Sequence, residues 1–310
     1  MAEVINSAFD HLNGLTVDEA LSNPTFIPEL MLEELNGEEI QRVFFRDVNT
    51  SSNVVAFREA LPHYLDEDVK RVAEFGEIPI GDPFAGELKT AALEKLGVGI
   101  RVSWEQRNDN DMDAVRRELE SRKNTILRSQ ARDAIASFDA ADLQELRVTT
   151  AWDQQDAKPA SDFMDASELI LGAEAEDGRY YGFTPDVLLI NPLTLNLLKR
   201  NSEVQKLYIG DMAHANPFFD GIQNEPLLFG NVQVVKSHFV PKGTAYLGVE
   251  QTAGFMAQRE APMVTDFYAE RGESNLGGAN MSYRSDYVHR RAFAVDAPKS
   301  VVKITNLVTG

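Results

Sequence analysis

Residues 69–138 constrain this chain most. A stretch punctuated by Gly and Pro, VKRVAEFGEIPIGDPFAGELKTAALEKLGVGIRVSW, runs almost directly into one long charged helical pattern, RNDNDMDAVRRELESRKNTILRSQARDAIASF. An extended hairpin arm is marginal in water unless its apolar face meets a third strand or another surface, so the arm requires a partner. The helix, read over 108–138, is about 45 Å long at ~1.5 Å rise per residue, several times the usual length and on the scale of a molecular spine. Met112, Val115, Leu119, Ile126, Ala134 and Phe138 keep one face, while Arg116, Arg117, Arg122, Lys123, Arg128 and Arg132 occupy much of the rest. Asn108, Asp109, Asp111 and Asp113 supply the capping oxygens and negative charge that unpaired N–H groups favour at a helix start. Taken alone, such a helix also fits an ordinary α/β enzyme; the preceding arm argues for a protein that associates.

Length and charge set the outer bounds. A chain of 310 residues supports a sizeable core and about two domains. Its net charge of −19 repels DNA and anionic membranes over most of the surface, which argues against tight general nucleic-acid binding. The imbalance is uneven: residues 1–41 carry nine acidic side chains and no Lys or Arg, whereas 227–310 carry nine basic and seven acidic ones. Front and back of neighbouring copies are therefore expected to attract, with Glu33, Glu34 and Glu38 facing Arg284, Arg290 and Arg291 across the contact. The absence of cysteine excludes disulfides, Cys-ligated zinc and thiol catalysis. No basic segment followed by an apolar one opens the chain, and its longest aliphatic run is too short to span a bilayer, so a soluble cytosolic protein is expected.

Along the chain, the first forty residues read as an acidic arm with one short helix, and 42–59 as a hairpin about the polar turn 49–53. In the return strand of the long arm, Val98, Ile100, Val102 and Trp104 share a face, and Gly97 and Gly99 mark a bend or bulge. A short strand or turn is expected near 146–152 and a second helix at 162–175. From residue 184 the pattern becomes compact: a buried strand, DVLLIN, then Pro192 opening the helix PLTLNLLKRN. A loop follows at 211–225, then two strands over 226–249, and further strands in 261–270, 281–295 and 299–305.

No catalytic constellation stands out. The five histidines, His11, His63, His214, His238 and His289, are scattered, and no phosphate-binding loop, dinucleotide fingerprint or nucleophile elbow is present. The pairs Phe44-Phe45, Tyr180-Tyr181 and Phe218-Phe219 read as core or interface in so acidic a chain. Gly272, Gly277 and Gly278 read as a plain turn. No metal or cofactor is expected. A soluble α/β enzyme using a carboxylate pair is the rival from another class.

The order of acidic arm, extended hairpin arm, spine helix, compact α/β region and late long strands resembles the major capsid proteins of tailed bacteriophages, the Hong Kong 97-type fold. VAEFGEIPIGD at 72–82 is similar to the family's extended-loop segment, and GIRVSWEQ at 99–106 to the strand entering its spine. FTPDVLLINPLTLNLLK at 183–199, LLFGNVQVVKSHFVPKGTAYLGV at 227–249 and RSDYVHRRAFAVDAP at 284–298 resemble the later elements. The resemblance implies an α+β fold: an N-terminal arm at 1–45, an extended loop at 46–106, a peripheral domain at 107–175 and 257–310, and an axial domain at 176–256. It implies self-assembly into pentamers and hexamers of an icosahedral virion shell in the host bacterial cytoplasm. The shell encloses double-stranded DNA without reading its sequence, and its partners are a separate scaffolding protein, a portal and decoration proteins. The loop's contacts would be made by Val72, Phe75, Ile78, Ile80, Phe84 and Leu88. Where cross-linking relatives carry a lysine this chain has Ile78, so no covalent link is expected there. An encapsulin-type compartment shares this fold and is the structural alternative.

Overall fold

The computed structural model describes residues 16–23, 25–35, 40–175, 178–201, 203–204, 227–228, 232–270 and 278–309. Expectations resting on His11, Glu38, His214, Phe218, Phe219, Gly272, Gly277 and the loop at 211–225 lie outside these residues. The front of the chain holds two helices where one was expected. In α1 (Val17–Ser22) the Thr16 side chain accepts from the Glu19 N–H, and the Glu19 carboxylate accepts in return from the Thr16 N–H. In α2 (Phe26–Leu35), Pro28 sits in the first turn, where its missing N–H breaks no hydrogen bond.

The predicted 42–59 hairpin does not form. Its strands exist, β1 (Phe45–Asn49) and β2 (Val54–Arg58), but each pairs elsewhere. β1 runs parallel to β10 (Gly254–Val264), while β2 pairs antiparallel with β3 (Leu88–Ala92). The side chains explain the divergence. Phe45 stacks on Phe138 at 5.0 Å and meets Phe293 edge-on, whereas Phe57 packs edge-on against Phe255 at 5.3 Å.

β4 (Glu94–Ser103) pairs antiparallel with β12 (Ser282–Val295) in unbroken register through Gly97 and Gly99, so neither glycine makes the bulge expected of it. They instead allow close approach: a Cβ on Gly99 would strike the Asp286 carboxylate. The irregularities lie in β10, at 258–263. Together β1, β10, β12 and β4 form one sheet, with β11 (Tyr268–Ala269) continuing the β10 edge of β12.

A short helix, α3 (Trp104–Asn108), ends before the spine proper, α4 (Met112–Ala140), whose Asp111 side chain accepts from the Ala114 N–H. The spine therefore starts four residues later and ends two later than the sequence pattern indicates. Its buried side chains, Val115, Leu119, Arg122, Ile126, Gln130, Ala134 and Phe138, recur at three- and four-residue spacing. The first half packs with α1, α2 and β4; the second half packs Ala134 and Phe138 with Phe44, Phe45, Val187 and Tyr246. One helix thus joins two cores.

The second sheet has the order β5 (Gln144–Arg147), β13 (Val301–Thr305), β9 (Ala245–Gly248), β6 (Val187–Ile190), β8 (Val232–Lys236), β7 (Leu227–Leu228). All four β6 residues are buried, Val187 and Leu189 toward the spine and Leu188 and Ile190 toward α5 (Pro159–Leu171) and α6 (Pro192–Arg200). α6 starts as its sequence indicates, with Asn191 accepting from the Leu193 N–H and Pro192 in the first turn. β5 and β13 share this sheet with β6, β8 and β9, so its hydrogen bonding crosses the sequence boundary drawn at 256/257.

Candidate inter-subunit surface

The segment 59–87 leaves the body between β2 and β3. Its neck is held by Glu59 N–H donating to the Glu87 carbonyl at 3.1 Å, Arg58 donating to the Gly86 carbonyl at 2.9 Å, and Ala60 N–H donating to the Asp296 carbonyl at 2.7 Å. Gly86 is obligatory here, because a Cβ would collide with the Glu59 carbonyl of the opposite leg. Lys89 and Glu59 pair across the ribbon at 2.7 Å, and that hydrogen bond raises the lysine's pKa. The ribbon base packs Val55, Phe57, Ala91 and Leu93 onto Phe255, Ala257 and Ala294 of the first sheet.

Further out, the legs touch again at the Leu65–Pro83 bridge and through Asp66 N–H to the Asp82 carbonyl at 3.0 Å. Beyond that point the described loop contains no strand, which corrects the expectation of a continuous hairpin over 69–104. What it presents is apolar. Phe75 is 100% exposed, Ile80 88% and Ile78 75%; Leu88, Phe84 and Val72 are exposed as well, as are Val69, Tyr64 and Leu65, which the sequence pattern did not single out. Phe75 also has φ +64°, a left-handed backbone that bulky residues seldom adopt, so the turn closed by Gly76 N–H to the Ala73 carbonyl holds an aromatic ring outward at a local cost. A soluble chain rarely leaves so many large apolar side chains together in water unless another surface covers them.

The proposed charge contact between copies needs correction. Glu34 is buried and pairs with Lys123 of its own spine at 2.7 Å, and Asp18 of α1 pairs with Arg107. The described part of the acidic front, α1 and α2, is folded onto its own body, because the apolar sides of both helices bury there. Arg291 has a side chain only 3% exposed, pairs with Asp133 at 2.8 Å and points into the core. Arg284 donates to Asp286 at 2.7 Å, a bond that raises its own pKa. Arg290, 4.0 Å from Glu260, and the exposed Glu33 remain on the surface. Among the spine residues, Val115, Leu119, Ile126 and Phe138 are buried and Met112 partly so.

No group of acidic, His or Cys side chains suited to a metal occurs among the described residues, and no described helix is long and apolar enough to cross a membrane. His289 is buried, its Nε2 3.2 Å from Gln258 Oε1.

Comparison with known proteins places this geometry. No curated protein matches the chain. The structure is similar to a virus-like particle from Pyrococcus furiosus, with TM-score 0.58, 10% identity, and 91% of this chain and 98% of that one covered. It is similar to a phage-related protein from Bordetella bronchiseptica, with TM-score 0.58, 15% identity, and coverage of 91% and 97%. It is also similar to the capsid of a native GTA particle, with TM-score 0.56, 14% identity, and coverage of 87% and 90%. At such identities these likenesses establish the fold, which is the α+β fold of the Hong Kong 97-type capsid proteins. The model of the family described as phage capsid protein matches residues 87–304, from the return leg of the loop to the last strand. A match over that much of the chain decides the assignment: this chain belongs to the phage capsid protein family, whose members build shells and do not catalyse.

Proposed function

We propose that this chain is the major capsid protein of a tailed-phage-like head. In this reading it associates as pentamers and hexamers into a closed icosahedral shell around double-stranded DNA, assembling in the bacterial cytoplasm with a separate scaffolding protein and a portal, and accepting decoration proteins. The observation that carries the reading is the loop 59–87, which is tied to its own body at the neck yet holds Phe75, Ile78 and Ile80 in solvent. Burying those side chains requires a second copy, and a closed shell supplies one to every subunit by symmetry. Residues 176–256 then surround the capsomer centre, while 107–175 and 257–310 form the periphery. The net charge of −19 suits a wall that encloses DNA without adhering to it.

Particle contents test this. Shells purified after expression within the complete phage gene set should hold DNA that resists external nuclease. Shells filled instead with a folded enzyme and free of DNA would contradict the genome-container reading.

A further inference from the structure

The loop is gripped a second time, away from its neck. After α5, residues 173–175 pair with 179–181: Ala175 N–H donates to the Arg179 carbonyl at 2.9 Å and Tyr181 N–H to the Ala173 carbonyl at 3.0 Å, with Gly178 at φ +77°. This pairing holds the Arg179 guanidinium against two aromatic rings, one from each leg of the loop. Its central carbon lies 4.7 Å from the Phe84 ring centroid and 5.4 Å from that of Tyr64. A planar guanidinium suits this position, since it stacks on ring faces in a way that a lysine ammonium does not.

We infer that Arg179 is a positioning residue that fixes the direction in which the extended loop leaves the subunit. The neck alone, at residues 58–60 and 86–87, is a single attachment about which a ribbon can swing. The rings at 64 and 84 lie five residues or fewer further out, at most about 17 Å along an extended chain. Two attachments on different elements define a line. The inner one rests on Asp296 at the end of β12, and the outer one on Arg179, in the segment paired with residues 173–175 after α5. The Leu65–Pro83 bridge makes the legs move together at that level, so a grip on both rings acts on the loop as a unit. Any tilt at the base is magnified at Phe75, eleven residues beyond Tyr64, which is where a neighbouring copy has to be met. The consequence for assembly rests on the shell reading above; the grip itself does not.

Hydrogen exchange of the full-length protein, compared between wild type, Arg179→Ala and Arg179→Lys in the same assembly state, tests the grip. Exchange over 62–66 and 82–85 should rise about tenfold in Arg179→Ala while the Glu59 amide and the spine amides stay unchanged. Arg179→Lys should behave like Arg179→Ala, because it retains charge without the stacking plane. Unchanged exchange, or full rescue by lysine, would overturn the inference. Electron microscopy of the same proteins tests the consequence: wild type should close shells of one size, and Arg179→Ala should give shells of mixed size or open sheets. Uniform Arg179→Ala shells despite faster exchange would also overturn the positioning role. A wild type that forms no shell at all would sink the shell reading and leave the grip to be judged by exchange.

Discussion

His289 carries a pH dependence that can be worked out from its surroundings. Burial, and secondarily the Arg291 guanidinium, which the strand alternation of β12 places on the same side, lower its pKa from 6.5 to about 4. Arg291 is itself paired to Asp133 from the spine, the Tyr287 ring lies 6.4 Å away, and Gln258 occupies Nε2. The unfolded chain therefore binds a proton that the folded one refuses between pH 6.5 and 4, and stability falls as pH falls through that window. The cost when complete is on the order of 3 kcal/mol. Glu270 and Asp286, whose pKa values are lowered, lose their contributions further down, as they protonate below their unfolded values. Urea unfolding at pH 7, 5.5 and 4.5 should show a decline for wild type and a much flatter one for His289→Gln. Parallel curves would remove His289 from the account. Arg122 is a different case: it is 1% exposed, its Nη1 donates to the Ser285 hydroxyl at 2.9 Å, and burial lowers its pKa to about 10. It remains a cation, held beside Asp286 at the point where the spine crosses the first sheet.

At the scale of elements, the loop separates cleanly from the fold. Residues 67–81 lie beyond the Leu65–Pro83 bridge and belong to none of the hydrophobic clusters. Joining Asp66 to Asp82 through a short Gly linker should leave the free energy of unfolding in urea within about 0.5 kcal/mol of wild type and abolish shell closure. A deletion that still closes shells would refute the idea that the tip covers a neighbour. This division was partly legible in the sequence. The spine shows itself because its apolar residues repeat at helical spacing and Asp111 caps it, and α6 because Asn191-Pro192 is a local start signal. The exposed loop shows itself because a Gly/Pro-broken apolar segment has no period by which to bury. Strand partners were not legible. β1 finds β10 more than 200 residues away, and the aromatic contacts that draw it there exist only after folding. The same holds for Arg179 and its two rings. For Arg290 and Arg291, adjacent on one strand, alternation dictates that one faces in and the other out, but only the packing of the spine decides which.

At the scale of the whole molecule, two cores threaded by one helix are built from side chains of a single chain, while the loop leaves large apolar side chains exposed. The acidic front adds to the body by packing α1 and α2 onto the spine. If, as proposed, association rests on the apolar loop with the surface charges secondary, raising salt should weaken assembly little. The most direct test of the central claim is light-scattering mass combined with negative-stain electron microscopy of the full-length protein, expressed alone and with a candidate scaffolding protein. Capsomer rings or closed shells in either sample are the predicted result. A small discrete oligomer in both, with the loop still exposed, would contradict it.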